Sequence, residues 1–286
     1  MVTLRFSKSP LIIKSADEQE AWNRHHLVYY ISNTHQEIAM SRSFPLLTLA
    51  LSSLLLSTSA CSRTDESPTA ESGAAKTQDW SSLRDFTAID ATGPDNVKVT
   101  ISPQFSVRAQ GDERAIADLD IRVKGDTLLI GRKSSTTWSG PKSANRATIH
   151  VTMPAITGAD LTGAGDLDLD RAEGDSLTLS LTGAGDFRIA KVNLKSLTTD
   201  ITGAGSIKIA GATDQAKLSI TGAGDIDGEA LKIGDADVSV LGAGDIDFAS
   251  DGKVAINIMG PGDVTVKGKA QCTIKGLGPG EARCAP

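Results

Sequence analysis

Aromatic side chains are scarce in this 286-residue chain: six phenylalanines, three tryptophans and two tyrosines make up 4% of it. Both tyrosines (Tyr29, Tyr30), Trp22 and three of the four histidines (His25, His26, His35) fall within residues 1–39, so the rest of the chain holds one histidine, His150, and no tyrosine. Three cysteines are too few for a disulfide-built scaffold. Basic residues do not outnumber acidic ones (29 against 35), and no basic patch stands out, so nucleic acid is not an expected partner. No apolar run reaches the roughly 20 residues that a membrane-spanning helix needs.

These absences weigh against catalysis, which requires converging nucleophiles, acids and bases. His150 lies between Ile149 and Val151, the expected inward residues, and is expected to face solvent. The comparison with enzymatic β-helices, which build clefts from long insertions, also fails: the repeats described below carry no insertion of more than two residues, so no cleft is expected. The downstream chain is therefore read as non-enzymatic, with no cofactor.

What is present begins at Met40. The stretch MSRSFPLLTLALSSLLLSTSAC has a basic residue (Arg42), an apolar run over 44–56 and small residues leading into Cys61. That is the three-part layout of a secretory signal. A cysteine at the cleavage point resembles a bacterial lipoprotein signal, which implies lipidation of Cys61 and a membrane partner through the anchor. Ser62 after it favours, by the same resemblance, the outer membrane. Residues 1–39 are read as an upstream extension with a mis-assigned start, 40–60 as the signal, and 61–79 as a flexible tether, since SRTDESPTAESGAAKTQ lacks large apolar side chains.

Glycine is abundant, at 28 positions, and more than half of it recurs in one phrase. LTGAGDLDL (161–169) returns as LTGAGDFRI, ITGAGSIKI, ITGAGDIDG and VLGAGDIDF, then as IMGPGDVTV and GLGPGEARC. The first glycines, Gly163, Gly183, Gly203, Gly222, Gly242, Gly260 and Gly278, are 20, 20, 19, 20, 18 and 18 residues apart. Two residues before them stand Leu161, Leu181, Ile201, Ile220, Val240 and Ile258; four after them stand Leu167, Phe187, Ile207, Ile226, Ile246 and Val264. Period-two alternation on both sides of a glycine turn, repeated near every twenty residues, predicts an all-β fold: a single-stranded parallel β-helix, or solenoid, with its apolar columns inward. The repeat is too short for a four-stranded propeller blade.

A solenoid corner reverses the chain within a few residues, so a positive φ is expected at the first or third position of Gly-Ala-Gly. Residues 80–155 are strand-rich but irregular and are read as early rungs that cap the N-terminal end; the Lys124-Gly125-Asp126 turn predicts a hairpin there. Residues 156–286 form the regular repeats. Cys272 and Cys284 lie six residues either side of Gly278, at inward positions, and in an oxidising compartment are expected to form a disulfide across the last rung.

The repeated glycine-x-glycine-aspartate turn, the opening FTAIDATGPDNVKVTI (86–101) and the lipoprotein N-terminus resemble the auto-transporter adhesin, head GIN domain family. The resemblance implies an envelope-associated β-helix of a bacterium and covers residues 79–284.

The aspartate after each turn is the sharpest candidate site: Asp166, Asp186, Asp225, Asp245 and Asp263, with Ser206 and Glu281 completing the column. One reading is Ca²⁺ held between rungs. The other, which the twenty-residue period favours, is that each carboxylate accepts hydrogen bonds from its own turn's backbone N–H groups. Trp138, in the polar loop SSTTWSGPKSANR (134–146), either stacks on a sugar ring or caps the first rungs. The expected function is that of an envelope lipoprotein whose regular surface serves adhesion or scaffolding; the alternative is a polysaccharide-binding or polysaccharide-active β-helix.

Overall fold

A computed structural model of the chain describes residues 75–133 and 146–285. The upstream extension, the signal, Cys61 and Trp138 lie outside the described residues. Seven strands precede the regular coils: β1 (Ala75–Asp79), β2 (Ala88–Gly93), β3 (Asn96–Ile101), β4 (Ser106–Asp112), β5 (Leu119–Lys124), β6 (Thr127–Arg132) and β7 (Ala147–Met153). One short helix, α1 (Glu113–Ala117), follows β4. The coils are built from β8 (Gly158–Gly163), β9 (Asp166–Leu169), β10 (Ala172–Gly183), β11 (Asp186–Gly203), β12 (Ser206–Gly222), β13 (Asp225–Gly242), β14 (Ile246–Ser250), β15 (Lys253–Met259), β16 (Val264–Lys267), β17 (Gln271–Leu277) and β18 (Ala282–Ala285).

One face of the solenoid runs into the glycine corner and a second runs out of it. On the entering face Leu161, Leu181, Ile201, Ile220, Val240 and Ile258 are successive ladder partners. On the leaving face Leu167, Phe187, Ile207, Ile226, Ile246 and Val264 are. Both columns are buried, so the sequence columns are the core ladders, each residue resting on its equivalent ~4.8 Å away. Each buried Leu or Ile contributes ~1.5–3 kcal/mol, and identical rungs let that contribution repeat without new packing solutions.

A third face joins the other two. Val192, Gly211 and Leu231 pair there, after β-bulges that follow Ile189, Lys208 and Gly228. It shortens at β14, where Phe248 and Ala249 pair with Gly228 and Lys232 and skip the β13 residues between them, and the shorter form continues as Ala249 pairs with Lys267. That shortening is why the glycine spacing falls from 20 residues to 18.

The corner needs glycine twice, for different reasons. The first glycine of each copy has φ between +125° and +136°, which a side chain resists. The second has ordinary φ but no room: a Cβ on Gly185 would lie 2.0 Å from the Gly165 carbonyl oxygen of the preceding rung.

At the N-terminal end β2 and β3 continue the two faces, with Gly93 the ladder partner of Gly163, and β6 and β7 add one more parallel rung. The parallel arrangement then stops. β5 pairs antiparallel with β6 through the expected hairpin at Gly125, β4 with β7, and β1 with β4. The tether expected to reach residue 79 therefore ends sooner: Ala75–Asp79 lacks a core face yet supplies the hydrogen bonds that close the β4 edge, with Arg108–Asp79 and Lys76–Glu113 ion pairs beside it. At the other end the structure joins Cys272 and Cys284 in a disulfide, Cα atoms 6.6 Å apart, across the final corner.

Candidate functional site

The corner aspartates form a hydrogen-bonded ladder along the solenoid axis. Asp166 Oδ1 accepts the Asp186 backbone N–H at 3.3 Å, and Asp186 Oδ1 accepts the Ser206 hydroxyl at 2.8 Å. Asp225, Asp245 and Asp263 each accept the backbone N–H of the equivalent residue in the following rung, from Asp245 (2.9 Å), Asp263 (2.8 Å) and Glu281 (2.8 Å). The donors belong to the next rung, whereas the sequence suggested the same turn. In a parallel stack the N–H at this position points along the axis, and the nearest acceptor is the side chain one rung below.

Repulsion along the column is offset by cations from the neighbouring outward column. Arg188 reaches three rung carboxylate groups: Asp186 at 2.7 Å, Asp166 at 3.3 Å and Asp168 at 3.6 Å. Its hydrogen bond to Asp166, with the other two acids nearby, pushes the guanidinium further up from its ordinary value. Lys208 pairs with Asp227, and that bond holds the Asp227 carboxyl below the usual carboxylate range. Among the described residues no group of three His, Cys, Asp or Glu side chains is placed to hold a metal ion.

The leaving face also carries a groove, which the lack of insertions did not predict. About 650 Å³ of open space runs across five rungs, from β3 through β9, β11 and β12 to β13. Lys98, Asp168, Arg188, Lys208 and Asp227 form one wall, and Ala190, Ala210 and Ala230 lie along the other side. The bulges explain it. They turn the chain at Ala190, Ala210 and the 228–230 stretch, and small residues at the turn leave the outer surface concave. The wall carries both signs of charge, with Arg188 and Lys208 as adjacent cations, and the remaining lining is mostly aliphatic, with Asp170 and Glu229 among it. His150 lies on the neighbouring rung in β7, exposed and opposite Lys98 and Arg108.

A second constellation closes the N-terminal corner. Asp95 occupies the place of the second corner glycine and is buried, at 6% exposure. Its carboxylate accepts from Arg132 twice, Nε at 2.8 Å and Nη2 at 2.7 Å, and from the Ala147 backbone N–H at 2.8 Å. Arg132 ends β6 and Ala147 begins β7, so this clamp holds both ends of the segment that carries Trp138. Sequence reasoning missed it because Gly93 precedes Gly163 by 70 residues and breaks the period; the signal was the single Thr-Gly-Pro-Asp at 92–95, the counterpart of the later Thr-Gly-Ala-Gly.

Solved structures with the same fold include three from Bacteroides and Parabacteroides species. A "putative adhesin" of Bacteroides fragilis superposes with a TM-score of 0.66 at 24% identity, covering 73% of this chain and 97% of that one. A "putative lipid binding protein" of Parabacteroides distasonis gives 0.60 at 18% identity, over 73% and 96%. A "putative adhesin" of Parabacteroides merdae gives 0.53 at 19% identity, over 74% and 98%. No curated protein sequence matches the chain. The profile of one family does match, over residues 85–270, from the start of the first parallel rung to the turn before β17. Corners, ladders and cap all fall inside or beside that span, and the chain belongs to the family described as "Putative auto-transporter adhesin, head GIN domain".

Proposed function

We propose that this chain is a non-enzymatic cell-envelope lipoprotein, anchored through Cys61, whose solenoid binds an extended polysaccharide of the envelope or of a host surface in an adhesin-like role. The observation that carries the reading is the groove across five rungs. Its walls repeat every ~4.8 Å along the axis, so it offers a linear polymer the same contacts several times over. The mixed charges of Lys98, Asp168, Arg188, Lys208 and Asp227 suit a ligand with hydroxyl and carboxylate groups, and the alanine side suits a flat apolar sugar face. The groove lining contains no histidine, cysteine or tyrosine; its acids Asp168, Asp227 and Glu229 are paired with Arg188, Lys208 and Lys267, and Asp170 accepts the backbone N–H groups of Ile101 and Arg171, which supports binding rather than turnover. The secretory layout of residues 40–61 supports the envelope.

The test is a co-sedimentation screen of the protein against insoluble peptidoglycan and envelope polysaccharides and against matrix polymers of a host type. Saturable binding to one polymer is expected, weakened by Ala190→Phe, which fills the groove with an exposed side chain. Binding that is unchanged by Ala190→Phe would move the site elsewhere, and binding to none of the polymers would remove the polysaccharide reading.

A further inference from the structure

The large hydrophobic side chains that stay exposed among the described residues are Leu241, Met259, Ile274 and Leu277, and all four lie in the last three entering strands. Leu241, Met259 and Leu277 are ladder partners at the outward position before the corner glycine, which Thr162, Thr182, Thr202 and Thr221 hold in the earlier rungs. Ile274 belongs to an inward column whose members Val238 and Ile256 are buried, yet it is 50% exposed. The reason is that among the described residues β17 pairs only with β15 and β18 only with β16. Two adjacent strands thus offer open backbone edges beside an apolar stripe, a combination that templates further strand pairing.

We propose that this C-terminal end is an interface with a second copy of the chain, related by a two-fold axis along the bisector of the last corner. β17 runs into Gly278-Pro279-Gly280 and β18 runs out of it. Rotation about that axis lays β17 of one copy antiparallel on β18 of the other, and the reciprocal pair forms in the same step. Both open edges are then covered by the same partner. The Cys272–Cys284 disulfide is centred on Gly278, and with the axis through Gly278 Lys275 of one copy, three residues before it, faces Glu281 of the other, three after it, beside the Arg283 that already pairs with Glu281. Ile274 and the disulfide gain a cover, and the Leu241–Met259–Leu277 stripe continues into its equivalent across the axis.

The opposite end does not offer this match. There β5 ends one face two strands beyond β2, whereas β1 ends the other three strands beyond β3, so the edges are staggered, and α1 packs beside β1 and β4. A tail-to-tail pair, rather than a head-to-tail filament, is the assembly this geometry supports.

The experiment is sedimentation equilibrium of the full chain in mild detergent, for the wild type, Leu277→Asp and Gly276→Pro. The Gln271 N–H donates to Gly252 and the Leu277 carbonyl accepts from Gly260, so odd-numbered residues of β17 face β15 and Gly276 faces the open side. Proline at 276 therefore removes a donor from the free edge alone. A dimer in the wild type, with the dissociation constant raised at least ~tenfold in both variants, is the expected result. Zero-length cross-linking of mixed ¹⁵N-labelled and unlabelled wild-type chains gives a readout that does not depend on the variants folding: a mixed-label link between Lys275 and Glu281 is expected. A monomeric wild type, a dimer indifferent to both substitutions, or a dimer without that mixed-label link would overturn the proposal.

Discussion

The Asp245 carboxylate accepts the backbone N–H of Asp263 at 2.8 Å, while the N–H of Asp245 itself donates to Asp225 at 2.9 Å. Each residue is thus acceptor for the rung above and donor to the rung below. The aspartate column serves as a seam of the solenoid, closing backbone groups at a corner where regular ladder bonds are interrupted. A charged acceptor makes these bonds stronger than neutral ones, which gives the sequence a reason to repeat aspartate where like charges would otherwise repel.

Replacing Asp245 by alanine removes one such acceptor at an exposed corner and should lower unfolding stability by about 1 kcal/mol. Asp245→Asn keeps an oxygen in place and should cost less. Urea titrations followed by circular dichroism check the order. The same seam predicts that melting in excess Ca²⁺ and in chelator will coincide; a Ca²⁺-dependent rise that Asp245→Asn abolishes would restore the metal reading of the column.

Gly205 and Gly174 separate the two uses of glycine. A Cβ on Gly205 would meet Gly185 O at 2.2 Å and Leu181 Cδ2 at 2.8 Å, at ordinary φ. Gly174 has φ +137° and nothing within 4 Å of its would-be Cβ. Gly205→Ala must displace backbone between two rungs and should cost about 3 kcal/mol or more. Gly174→Ala meets only conformational strain, about 1–2 kcal/mol. Equal losses in thermal melts would contradict the steric account of the second glycine.

The contrast shows what was legible in the sequence. Leu161, Leu181 and Ile201 fall into one buried column because stacking is parallel and in register, so a fixed spacing in sequence becomes a fixed position in space. The same logic made the Cys272–Cys284 pairing readable from two positions around one glycine. The groove was not readable, because it comes from bulges after Ile189 and Lys208, and a bulge changes direction without changing the repeat enough to stand out. The direction of the Asp245 bond was hidden for a related reason: spacing shows that a carboxylate recurs, and only the stack shows which rung's N–H points at it.

Asp160 and Asp90 are directly opposed ladder partners on the entering face. Burial pushes the Asp160 carboxyl up from its ordinary value, the Asp90 charge adds to this, and the Ser180 hydrogen bond opposes it. A raised carboxyl binds its proton more tightly in the folded chain than in the unfolded one. The associated stability is therefore complete below the unfolded carboxylate range and is lost as pH rises through the raised folded value. Asp160→Asn should melt higher than the wild type at pH 7, by at most about 0.5 kcal/mol for an exposed like-charge pair, and the gain should vanish at pH 3. A gain that is independent of pH would point to packing instead.

Asp95 carries the largest predicted loss outside the glycine corners. Its carboxylate holds the Arg132 guanidinium in two parallel bonds and the Ala147 N–H in a third, with the two side chains only 5% and 13% exposed. The hydrogen bond to Asp95, helped by the Asp95 charge, raises Arg132 above its ordinary value despite burial, as expected when the cation is matched. Asp95→Ala leaves that cation without its carboxylate in a drying environment and should cost about 3–5 kcal/mol. Asp95→Asn retains an acceptor for Ala147 but not the charge, and should fall between. The damage should be local, because each rung of a solenoid touches only its neighbours. Hydrogen exchange should therefore show protection lost in β6 and β7 and kept in β12 and β13, whereas uniform loss along the chain would mean that the N-terminal clamp and the coils unfold as one unit.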